Sequence, residues 1–181
     1  MMAFFVGGLG LILPFNGAWP KIHKTAFIAP NAVVVGDVKI GRDSSIWFGC
    51  TLRGDVNSIR VGERVSIQDN SVLHSSNDPG RTVVGDNVVV GHGAIVHACR
   101  VGSDSLVGIG SIVLDNAVIG KGSFIAAGSL VLPGTRIPPK SFVVGSPAKV
   151  LKEVEKEKTN YIAWDVRHYV ELKNKYLKEL V

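Results

Sequence analysis

The chain has 181 residues, enough for one domain that buries roughly 70% of its unfolded surface, so folding depends on neither a disulfide framework nor a structural metal. Apolar residues make up 46% and charged ones 19%, too apolar for disorder, and the 21 glycines lack the triplet period of collagen. The net charge of +5 forms no basic tract, because 8 of the 20 basic residues fall after residue 148 among 6 acidic ones; nucleic acid is not an expected partner.

The chain opens on an apolar stretch, Met1 to Leu13, but no Lys or Arg precedes Lys21 and no small-x-small cleavage site follows. It reads as an edge strand within an N-terminal cap segment, 1–27. At 13 residues it is too short to cross a bilayer, and no other segment has 18 consecutive apolar residues, so no membrane partner is expected. Cys50 and Cys99 belong to no Cys-x-x-Cys pair and read as packing thiols in a reducing, cytoplasmic compartment.

From Ile28 to Val143 an aliphatic residue returns every sixth position, often with glycine after it, as in Ile40-Gly41, Val61-Gly62, Val90-Gly91 and Val107-Gly108. A helix wants apolar residues three and four apart and a half-exposed strand wants alternation; neither gives one large aliphatic in six. Short strands joined at corners do. Three hexapeptides then complete one triangular coil, and segment 28–148 is expected to be an all-β parallel β-helix with aliphatic columns stacked inside a prism. Three irregularities interrupt the period: Leu52 to Val61 has three extra residues, Leu73 to Val84 has five extra, and Val96 to Val101 is one short. Extra residues in a solenoid leave as loops, so Asp55–Ser58 and Ser75–Thr82 are expected to protrude. Segment 149–181 loses the glycines, and Ile162, Val166, Tyr169, Val170, Tyr176, Leu177 and Leu180 recur at helical spacing, predicting a C-terminal helix capped at Thr159 or Asn160.

The repeat frame places the histidines. His74 follows Leu73 and His97 follows Val96, one full coil later, so the two share a column at the strand spacing of about 4.8 Å and can converge on one metal ion. His92 follows Val90 by two and belongs to the next face, too far around the perimeter to join them. Subunits arranged around a threefold axis would bring the His92 edge of one to the His74/His97 edge of the next. Arg53 lies one coil before His74, and Asp69, with Gln68 beside it, one coil before His92. Arg53, Asp55, Gln68 and Asp69 are therefore candidates for orienting metal-bound imidazoles.

The run Leu52-Arg53-Gly54-Asp55, with Ile67-Gln68-Asp69, Leu73-His74, Gly91-His92, Val96-His97 and the closing Gly145-Ser146-Pro147-Ala148-Lys149, resembles the gamma-class carbonic anhydrases and their bacterial gamma-carbonic-anhydrase-like relatives. The resemblance implies a left-handed prism, a homotrimer, and Zn2+, with Fe2+ or Co2+ as alternatives, held by His74 and His97 of one subunit and His92 of the next. It further implies that a metal-bound hydroxide attacks CO2 to give bicarbonate, with Arg53, Asp55, Gln68 and Asp69 serving the site. Two family glutamates that carry the released proton are missing: Val56 stands directly after the Arg-x-Asp motif, and the loop after His74 holds Asp78 but no glutamate. Ser66 stands where Asn is common. These departures imply a weaker enzyme and keep two other readings open, a metal-binding or bicarbonate-binding scaffold and a CoA-linked acyltransferase or thioesterase.

Overall fold

A computed structural model describes residues 10–77 and 79–180. One aliphatic in six gives strands of only two or three residues, each donating its backbone to the coil on either side. The chain winds into a left-handed parallel β-helix of about seven turns. Each prism face is a parallel ladder. The first runs through Phe27–Ile28, Ser45–Ile46, Ser66–Ile67, Val89–Val90, Leu106–Val107, Phe124–Ile125 and Ser141–Val144. The second face carries Val72–His74, Ile95–His97, Ile112–Val113 and Leu130–Val131; the third carries Thr82–Val84, Arg100–Val101, Val118–Ile119 and Arg136–Ile137. Val33–Ile40 and Thr51–Val61 turn the corner between these two faces and join them into one sheet. Inside, the expected columns are complete: Ile28, Ile46, Ile67, Val90, Val107, Ile125 and Val143 are all fully buried, as are Leu52, Leu73 and Val96 on the next face.

The prism extends past the periodic stretch at its start. Lys21–Ile22 pairs in parallel with Lys39 and Ile40, and Leu11–Leu13 with Val33–Val35, so strands of the coil lie within the expected cap segment 1–27. Residues 1–9 of the apolar opening lie outside the described residues, as does Asp78.

The two insertions differ from expectation. Asp55–Ser58 does not leave as a loop: it stays within Thr51–Val61 as a bulge, the partner register passing from Gly36↔Gly54 to Val38↔Ile59. Gly36 permits this, since a Cβ there would lie 2.3 Å from the Gly54 carbonyl oxygen. The described residues of the insertion between His74 and the strand that starts at Thr82 do form a loop, closed by Ser76 N–H donating to Gly80 O at 2.8 Å. Buried Ser75 stitches the two insertions together, its hydroxyl donating to Asn57 O at 2.7 Å and accepting from Asn57 N–H at 3.0 Å.

After the last coil, Lys149–Glu153 turns back as an antiparallel strand on Ser141–Val144, and the helix Lys156–Leu180 begins ahead of the expected cap at Thr159 or Asn160. It lies on its own prism, over the first face. Ile162 and Val166 are buried there, Tyr169 and Tyr176 meet Trp47 edge-on, and Leu177 packs alongside, whereas Leu180 is exposed. Lys173, 1% exposed, pins the helix to the first coils by donating to Thr25 O at 2.6 Å and Asp43 Oδ1 at 3.2 Å. Among the described residues no helix is long and apolar enough to cross a membrane.

Candidate metal centre

Strand register sets the first half of the site. Arg53 pairs with His74 and His74 with His97, so three side chains stand in consecutive coils on one edge of the prism. The bulge after Arg53 turns Asp55 back toward them. Arg53 Nη1 donates to Asp55 Oδ2 at 2.5 Å, and Asp55 Oδ1 lies 3.1 Å from His74 Nε2. On the far side, His97 Nδ1 lies 2.5 Å from Asp115 Oδ1. Each carboxylate thus takes the N–H of one imidazole, leaving His74 Nδ1 and His97 Nε2 facing one another at 3.0 Å, with ring centroids 5.1 Å apart. Burial pulls the Asp55 carboxyl upward, but hydrogen bonds from Arg53 and His74 outweigh it and hold the group below the usual range. Asp115 is likewise held low, with His97 and Ser76 prevailing over burial.

The second half occupies the next corner. His92 Nδ1 lies 2.8 Å from Asp69 Oδ2, and its backbone N–H donates to Gln68 Oε1 at 3.2 Å. Asp69 Oδ1 is itself fixed by the Phe48 N–H at 3.2 Å. Gln68 is buried, and the His92 ring is 45% exposed. Gly93, at φ +65°, makes the turn that follows, closed by its N–H on Asp69 O.

The structure therefore gathers Arg53, Asp55, His74 and His97 into one cluster and Gln68, Asp69 and His92 into another. The clusters do not meet in one chain, and no three potential ligands converge among the described residues. The donor chemistry of each half fits a divalent cation. Two tetrahedral nitrogen ligands at about 2.0–2.1 Å from zinc stand about 3.3 Å apart, close to the 3.0 Å between the inner nitrogens of His74 and His97. All three imidazoles have a carboxylate on one nitrogen, the arrangement that fixes tautomer and ring orientation in metal sites. The two cysteines take no part: both are buried, which pushes each thiol up to about 12.

Two residues near these clusters were not anticipated. Asp115 sits two positions after Val113, in the coil following His97, so an offset of one from the His column hid it. Asp165 stands within the helical stripe between Ile162 and Val166 and is 6% exposed, and burial raises its carboxyl above the usual range. An acidic residue at an apolar position of the stripe was its signal.

A family model described as bacterial transferase hexapeptide (six repeats) matches residues 20–54 and 98–133. Gamma carbonic anhydrase 2, mitochondrial, of Arabidopsis thaliana is 45% identical over 84% of this chain, and the chain spans 57% of that protein's length. A carbonic anhydrase of Geobacillus kaustophilus is 47% identical over 94% of this chain and 92% of its own. Among solved structures, a Bacillus cereus protein described as an acetyltransferase candidate superposes with a TM-score of 0.92 at 42% identity, over 94% of this chain and 98% of its own.

Proposed function

The chain belongs to the gamma-class carbonic anhydrases and their bacterial gamma-carbonic-anhydrase-like relatives, and from that premise we propose that it hydrates CO2 reversibly to bicarbonate at metal sites shared between the subunits of a homotrimer. The observation that carries this reading is the division of three carboxylate-held imidazoles over two edges of one rigid prism. A heterologous contact between those edges closes after three copies and completes three equivalent sites. The same two ridges support the contact beyond the histidines. By register, Ile109 follows His92 in the next coil and is 57% exposed, while Leu114 and Leu132 follow His97, Leu132 being 44% exposed. Apolar side chains on facing ridges give such an interface a dry core.

In this reading His74 and His97 of one subunit and His92 of the next hold Zn2+, Fe2+ or Co2+, all of which accept imidazole ligands. When bound, the cation supplies the Lewis acidity that makes water a nucleophile at neutral pH. The residues around it do the positioning. Asp55, Asp115 and Asp69 fix the three rings, and Arg53 keeps Asp55 ionised. Gln68 has committed its carbonyl oxygen to the His92 N–H, so its amide N–H groups are the ones left to orient a reacting oxygen. The two buried, unpaired cysteines fit a reducing, cytoplasmic setting.

Acyl transfer is the competing reading, prompted by the description attached to the Bacillus cereus structure. Acyl transfer needs one imidazole as general base. Here two imidazoles aim nitrogens at each other, and neither cysteine is available as a thiolate nucleophile. Stopped-flow CO2 hydration on anaerobically purified protein of known metal content tests the proposal. Activity should rise in proportion to metal, and a fully metal-loaded trimer that leaves CO2 hydration at the uncatalysed rate overturns it.

A further inference from the structure

Hydration of CO2 forms a C–O bond to water and breaks one O–H bond, so each turnover releases one proton that must reach solvent. The carboxylates closest to the candidate ligands are committed, since Asp55, Asp69 and Asp115 each accept from an imidazole. Val56 and the described residues of the Ser75–Thr82 segment add no carboxylate or imidazole beside them.

The C-terminal helix supplies one. Asp165 is 94% buried by its 6% exposure, yet no hydrogen bond or ion pair holds its carboxyl among the described residues. It borders a cavity of about 290 Å3 that is also lined by Gln68, Gly91, Ile109, Lys158 and Tyr161. Gln68 and Gly91 are the two residues that precede the Asp69/His92 pair in their coils, so one end of the cavity reaches the half-site and the other reaches the helix. A cavity of that size admits several waters, each needing about 30 Å3, and Gln68, Asp165, Tyr161 and Lys158 offer them polar partners. His168, one turn further along the helix, is exposed, its ring stacked on Trp164 at 5.1 Å and 12°.

We propose that Asp165 takes up the proton released at the Gln68/His92 half-site, through water in this cavity, and hands it to His168 and so to solvent. The carboxylate gains the proton as the O–H bond of water breaks; the carboxyl O–H then breaks in favour of the His168 imidazole, which returns the proton to buffer, and no electrons change hands. The groups facing Asp165 suit that role. Burial raises its carboxyl above the usual carboxylate range, which favours taking up a proton, while His168 and His92 oppose the shift. Tyr169, held up at about 12, and Tyr161, also raised, keep their protons and do not compete. Lys158 is occupied over the Phe124 and Phe142 rings, 5.3 and 4.8 Å from their centroids.

The inference rests on the CO2-hydration reading, and the experiment separates the two. In the metal-loaded trimer, exchange of isotope-labelled oxygen between CO2 and water gives one rate for interconversion and another for proton-dependent release of labelled water. Asp165→Asn should leave the interconversion rate and kcat/KM within about twofold. It should lower labelled-water release and kcat in dilute buffer by about 10-fold to 100-fold, with added imidazole restoring both. His168→Ala, a surface change that does not threaten folding, should show the same split. Carbon-13 NMR of labelled aspartate should find one carboxyl titrating above the ordinary range, absent in Asp165→Asn, with metal removed as well as bound. Wild-type interconversion with no loss of labelled-water release in either variant overturns the proton route alone, and so does an Asp165 carboxyl that titrates in the ordinary range. No interconversion by fully loaded wild type overturns the hydration reading and the proton route with it.

Discussion

Mixing two inactive variants should rebuild a fixed fraction of metal sites. In the proposed trimer each site takes two nitrogens from the His74/His97 edge of one subunit and one from the His92 edge of its neighbour. His92→Ala keeps the first edge and His74→Ala keeps the second. In rings assembled at random from equal amounts, a given boundary joins the two intact edges with a chance of about one half times one half, about one quarter. Around a ring of three the productive order occurs at most once, so mixed trimers should bind about one metal each, pure trimers none, and the average should be about 0.75 per trimer against three in wild type. Co-expression with distinguishable tags, followed by native mass spectrometry and elemental analysis, reads both the composition and the metal. Pairing His74→Ala with His97→Ala is the control: both lesions lie on one edge, so no arrangement restores a site. Mixed trimers of the first pair that carry no metal, or mixed trimers of the control pair that do, refute the shared site.

Four other outcomes follow from the same structure. Asp115→Asn frees the His97 ring and should weaken metal affinity about 10-fold to 100-fold in a chelator competition, with the trimer retained. Ile109→Asp places a charge on the exposed position next to His92 along its ridge; sedimentation should find monomers that keep the wild-type circular dichroism. Leu73→Ala removes a fully buried column residue directly before His74 and should cost about 2–5 kcal/mol in urea unfolding. Asp43 is held below the usual carboxylate range by Thr25 and Lys173 against the pull of burial, so its stabilising contribution is present above the unfolded value of about 3.9 and disappears as pH falls through the lower folded value. Asp43→Asn should therefore be less stable than wild type at pH 7, with the gap closing below about pH 4; a gap that stays constant down to pH 2 contradicts that assignment.

The coil was legible because the interior of a triangular prism accepts one large aliphatic per side, which writes the fold into the sequence as a period of six. Its ends were less so. Ile12 and Ile22 occupy core columns, but the turn at Asn16-Gly17 separates them by ten residues and breaks the period. Lys149–Glu153 is exposed throughout and carries no alternation to mark a strand. Asp55–Ser58 looked like a loop because length was counted without backbone pairing, whereas the bulge keeps the ladder intact. At the site, column arithmetic was enough to stack His74 on His97 and Asp69 beside His92, since register in a solenoid is set by the buried aliphatics. It did not reach Asp115, one position off the column, or Asp165, which belongs to an element with a different period.

The regular stacking that makes such arithmetic work also accounts for the division of the proposed ligands between two edges. Stacked coils hold side chains at strand spacing without help from loops, so two imidazoles on one edge are preorganised before any cation arrives. The same stiffness keeps a ligand on the neighbouring corner from bending round to join them. In the proposed trimer completion falls to a second chain, and cation binding and assembly become two descriptions of one equilibrium: whatever free energy the cation gains from His92 is lent to the subunit boundary. In that proposed assembly exposed apolar neighbours such as Ile109 and Leu132 would extend the contact beyond the cation, so the boundary would not rest on metal alone. A proton route along the helix suits this design, because Asp165 and His168 lie on the chain that brings His92, leaving the two-histidine edge free to do nothing but hold its ligands in place.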